Sequence, residues 1–116
     1  MIDNKTLAIT LVRGDSFAFA ISNYKEEVKI PLPPDSVIHF GVKKRSKDSV
    51  YAFCKKAVIR EDGTAIIQID PQDTENLATG SYRYDIEYSN TERSIVRTWV
   101  NNKPFKIVVD IVDRVC

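Results

Sequence analysis

Excess positive charge, cysteine, histidine, glycine and long apolar runs are all scarce in this sequence. Lysine and arginine total 17 against 16 aspartates and glutamates. A nucleic-acid footprint needs clustered positive excess, so this balance argues against one. The two cysteines, Cys54 and Cys116, are too few and too far apart for a disulfide scaffold or a zinc site. They read as reduced thiols, Cys54 in or beside a strand and Cys116 at a frayed end. His39 is the only histidine, which excludes a two-histidine metal site, and it is not expected to serve a catalytic triad. Lying between Ile38 and Phe40, it faces away from the apolar side of its strand. Four isolated glycines leave no glycine-rich phosphate loop. No apolar run approaches the ~20 residues of a membrane-spanning helix. Met1 to Lys5 carry neither the basic nor the apolar stretch of a signal peptide. The expectation is a chain made in a cytosol that stays soluble, with no membrane partner.

What is present suffices for one core. The chain has 116 residues, 43% of them hydrophobic. A domain of that size buries roughly two-thirds of its unfolded surface. No repeat or linker divides it, so residues 1–116 read as one domain.

Alternation is the dominant pattern. Leu7, Ile9 and Leu11 share one face, then Phe17, Phe19 and Ile21, then Ile38, Phe40 and Val42. Later come Ala65, Ile67 and Ile69; Tyr82, Tyr84, Ile86 and Tyr88; and Phe105, Ile107, Val109 and Ile111. Residues two apart lie on one face of a strand, so these are half-buried strands. Arg83, Asp85 and Glu87 fill the wet side. Turns punctuate them at Arg13-Gly14-Asp15, Lys43 to Ser49, Asp62-Gly63 and Asn90 to Arg93. Lys25 to Asp35, with Pro31, Pro33 and Pro34, cannot be a central strand, because proline removes ladder donors. Near residues 71–77 one short helical turn is expected, capped by Asp70, opened by Pro71 and ended near Gly80. The fold class is all-β: an Ig-like antiparallel sandwich of about 7–9 strands. Gly80 to Tyr84 suits the corner of such a sandwich, with the Tyr82 hydroxyl bonding back to upstream backbone.

Candidate chemistry dissolves into structural roles. Arg13-Gly14-Asp15 spells an integrin tripeptide but reads as a turn. The carboxylate pairs Asp70 with Asp73, Asp85 with Glu87, and Glu26 with Glu27 have no cleft to act across. The acidic run from Asp70 to Glu75 suits a helix cap better than a calcium loop. Lys43, Lys44, Arg45 and Lys47, with Lys55 and Lys56, form a basic cluster without interleaved aromatics. No catalytic, cofactor-binding or metal-binding residue is assigned, no cofactor or small-molecule substrate is expected, and the chain is read as not an enzyme.

The order of these motifs resembles the Ig-like N-terminal domain of phage baseplate upper proteins and related prophage tail and virion proteins. The carrying segments are Val12-Arg13-Gly14-Asp15-Ser16-Phe17-Ala18-Phe19, an opening strand pair, and Asp35 to Lys43 with its I-x-F-x-V-K strand. Gly63 to Thr74, Gly80 to Glu87 and Pro104 to Asp110 follow. The family domain usually leads a longer protein. A chain stopping at Cys116 is therefore expected to be a small stand-alone subunit. The resemblance implies a virion structural protein, synthesised in the bacterial host cytoplasm and docking to other virion or baseplate proteins or to copies of itself. Lys43, Lys44, Arg45 and Lys47 in the charged hairpin, and Pro33 and Pro34 in the proline loop, are the expected contact residues. The alternative is a bacterial surface Ig-like or carbohydrate-binding adhesion module, with Trp99 as its stacking platform.

Overall fold

The computed structural model describes residues 2–3, 5–33, 35–90 and 94–109. Period-two alternation becomes ten strands among them. The first five are β1 (Ile9–Val12), β2 (Phe17–Ile21), β3 (Asn23–Lys25), β4 (Val28–Ile30) and β5 (Ser36–Lys43). The rest are β6 (Phe53–Lys56), β7 (Val58–Ile59), β8 (Ala65–Ile69), β9 (Gly80–Asn90) and β10 (Ile95–Val108). A helical turn, α1 (Pro71–Thr74), lies between β8 and β9. The large sheet runs β1-β10-β9-β5-β6, and the small sheet β2-β8-β7. Among the described residues β3 and β4 pair only with each other.

The alternating apolar rows meet between the two sheets. Ile38, Phe40 and Val42 of β5, Tyr84 and Ile86 of β9 and Phe105 of β10 face Ile67 and Ile69 of β8 in one buried cluster. Phe40 sits at its centre, with the rings of Phe19, Phe53, Tyr84 and Phe105 at 5.6, 6.1, 5.3 and 6.1 Å.

This is the strand order of an Ig-like sandwich, in which A, B, E and D form one sheet and C, F and G the other. β2, β8 and β7 stand as B, E and D; β5, β9 and β10 stand as C, F and G, with β6 outside C. The first strand departs from that plan. β1 pairs with β10, in parallel, Ile9 opposite Phe105 and Leu11 opposite Ile107. Two expectations are thereby corrected. The segments flanking Arg13-Gly14-Asp15 are not a strand pair, and the sandwich is not wholly antiparallel. The turn instead carries the chain from one sheet to the other. It is pinned there because the Gly14 N–H donates to the buried Thr74 Oγ1 at 2.8 Å.

As expected, the segment before the prolines is no central strand; part of it is a separate hairpin, with β4 folded back on β3. Glu26 and Glu27 form its tip, both left-handed at φ 51° and 68°, as a two-residue hairpin turn requires. The helix is shorter than 71–77 and stops at Thr74. The Asp73 carboxylate reaches back to the Asp70 N–H at 2.7 Å, closing a single turn. Val109 is exposed, because β10 ends at Val108, opposite the last residue of β1. Ile111, Cys116 and residues 91–93 of the second hairpin tip lie outside the described residues.

Candidate docking surfaces

The corner at Gly80 to Tyr84 holds one side chain of the basic hairpin. Gly80 opens β9, and the Tyr82 hydroxyl donates to the Ala78 carbonyl at 2.7 Å. The Lys44 ammonium lies 4.5 Å from the centre of the Tyr82 ring. Lys43 lies 4.7 Å from that of Tyr51. These two cations therefore engage rings of their own chain. Arg45 and Lys47 are exposed at the tip, where the Asp48 carboxylate accepts the Arg45 N–H at 3.1 Å.

Lys55 is also turned to its own chain, 3.0 Å from both Asp70 and Asp73. The hydrogen bond to Asp73, then that to Asp70, holds its ammonium above the ordinary lysine range. The buried Tyr84 hydroxyl donates to the Leu7 carbonyl at 2.5 Å, and burial raises it too. Both folded values lie above the unfolded ones. Each group therefore contributes stability that is complete below its unfolded value and lost as pH rises through the folded one. Melting temperatures should fall steeply above about pH 10, with no matching loss from this source near neutrality. Lys55→Met should lower the melt at neutral pH and flatten that alkaline limb; calorimetry across pH 7 to pH 11 checks both.

The proline loop lies elsewhere. Pro33 is half-buried, and its carbonyl accepts the Ser36 hydroxyl at 2.6 Å. Pro34 lies outside the described residues. The loop precedes β5 and the basic hairpin follows it, so the eight residues of β5 separate them. At the rise of an extended strand that is roughly 24 Å. The two expected contact patches therefore do not form one surface.

The outer face of the large sheet is polar. His39 and Lys43 of β5 lie beside Arg83, Asp85 and Glu87 of β9. Tyr51 lies over Gly41, where a Cβ would come within 2.4 Å of its ring. β10 bulges between Thr98 and Lys103, and Asn102 is left-handed at φ 54°. Its N–H donates to Asp85 at 2.6 Å, and the Arg83 Nε donates to its side-chain oxygen at 2.8 Å. The bulge thus ties up two charges of the wet face. Among the described residues no three His, Cys, Asp or Glu side chains converge on a metal-sized point. The Cys54 thiol, exposed on β6, is raised by desolvation.

The outer face of the small sheet is the opposite in character. The register sets Val58 of β7 beside Ile66 of β8, and Ile66 beside Ala20 of β2. Gln68 and Ala18 form the next row. Val58 is 67% exposed. A solvated antiparallel sheet normally alternates apolar inside with polar outside. Here four of the five outward side chains just named are apolar and none is charged. The signal in the sequence was Ala18 and Ala20, sitting where β2 should have had polar residues. Val58 was missed because a two-residue strand leaves no alternation to count.

Trp99 stacks on Tyr88 with ring centres 4.8 Å apart and planes 6° apart. One of its faces is therefore covered by its own chain. Neither a protein-family model nor a curated protein matches this sequence.

Proposed function

We propose that the chain is a non-enzymatic structural protein of a phage or prophage virion, of the baseplate or tail kind, acting by docking to other proteins of the particle. The observation that carries this reading is the uncharged outer face of the small sheet. An apolar face rimmed by polar surface is the usual mark of a protein contact. The order of motifs along the chain supplies the virion setting. The chain would be made in the bacterial cytoplasm and end in the assembled particle.

Three observations test this. The gene should lie among tail or head genes; a place in a metabolic operon overturns the reading. Mass spectrometry should find the chain in purified particles from the induced host. A Val58→Lys/Ile66→Lys variant should remain folded by circular dichroism yet be depleted from particles about tenfold or more, as expected from charges set into an apolar contact. Undiminished incorporation would remove the face as the docking surface.

A further inference from the structure

We propose that β2 is the joint through which two copies of this chain pair, edge to edge and antiparallel. The proposal deepens the docking reading by naming one partner, a second copy, and one surface.

The argument starts from the displaced first strand. In an Ig-like sandwich strand A lies beside strand B. Here β1 lies beside β10, so among the described residues β2, in the B position, ends its sheet. A strand at a sheet edge presents unpaired backbone donors and acceptors, and natural sheets normally guard them. The other three edges of the two packed sheets are guarded. β6 carries Lys55 and Lys56, β7 has only two residues, and Ile2 bridges to Ile9 along β1. β2 reads Phe17-Ala18-Phe19-Ala20-Ile21, with no charge, proline or glycine.

Side-chain shape then selects the partner. The strand is symmetric about Phe19. Antiparallel pairing about that residue sets Phe19 opposite Phe19, Ala18 opposite Ala20, and Phe17 opposite Ile21. Large residues meet large ones on the inner face, and alanines meet alanines on the outer face. The inner row is only half-buried in one copy. A second copy covers the remainder and makes the two small sheets one six-stranded sheet. The outer apolar face becomes continuous across the joint. Five residues a side make a small interface, so the dimer is reversible and concentration-dependent.

Sedimentation of the full chain, with reductant so that exposed Cys54 cannot link copies, reads the proposal directly. A concentration-dependent species of twice the 13.2 kDa chain mass is expected. Ala18→Lys/Ala20→Lys puts like charges opposite one another and should weaken the dimer by about tenfold or more. Ala18→Glu/Ala20→Glu should do the same alone, and an equimolar mixture of the two variants should associate again. Circular dichroism melts of each variant separate a lost joint from a lost fold. If the lysine variant does not fold, the glutamate variant alone gives the same reading. A chain that is monomeric at every concentration overturns the proposal, and so does a dimer indifferent to these charges. Either result leaves incorporation into particles, and hence the docking reading, to stand or fall on its own measurement.

Discussion

Phe40→Ala should lower the melting temperature by roughly 10–25 °C. Truncating a buried phenylalanine typically costs about 3–5 kcal/mol, through lost burial and the cavity left behind. Phe40 belongs at the upper end. It has no exposed surface, and four aromatic rings pack around it. Those rings come from β2, β6, β9 and β10, so no single element can move in to fill the space. The loss is a large share of a domain's total stability, which is about 5–15 kcal/mol. Phe40→Leu should recover more than half of it. Thermal denaturation of both variants checks the pair, and near-wild-type melting of Phe40→Ala would mean the cluster is not the core.

Gly63→Ala should destabilise by more than about 2 kcal/mol, whereas Gly41→Ala should cost under about 1 kcal/mol. A Cβ built at either position meets another atom at 2.4 Å, so distance alone does not separate them. What each Cβ meets does. At Gly63 it strikes the Pro31 Cα and the Leu32 nitrogen, both backbone, and the Gly63 φ of 82° already disfavours any side chain. The Leu32 N–H also bonds the Gly63 carbonyl at 3.4 Å, so the loop cannot retreat without losing that contact. At Gly41 the Cβ meets only the Tyr51 ring, which is 47% exposed and can swing into water. The main loss there is the contact with Lys43. Equal melting temperatures for the two variants would show that the proline loop yields as readily as a side chain.

Features set by near neighbours were legible in the sequence. Alternation placed Phe40, Val42, Ile67 and Tyr84 inward, because strand geometry turns every second residue to one side. Asp70 and Pro71 marked the helical turn, and Asp62-Gly63 the hairpin turn that the structure places between β7 and β8. Partner choice was not legible. Ile9–Val12 alternates equally well beside β2 or β10, and nothing within four residues says which. The bulge at Asn101 and Asn102 shifts the register of β10, which is why Trp99 could not be assigned a face from spacing. Of the expected contact residues, Lys43 and Lys44 fold back onto Tyr51 and Tyr82, which long flexible side chains do according to tertiary neighbours. The apolar outer face of the small sheet needed three strands brought together before it existed as a surface at all.

The parallel pairing of β1 with β10 also decides how the domain bears tension. A pull on the start of β1 and the end of β10 acts at opposite ends of one parallel ladder. The two strands must then slide past each other lengthwise. The ladder that spans Ile9 to Val12 and Phe105 to Val108 is loaded all at once rather than opened bond by bond. Resistance to such a pull is governed by the unfolding rate, not by equilibrium stability. The first strand gave up its place beside β2, and in doing so it became a clamp across the domain's two ends.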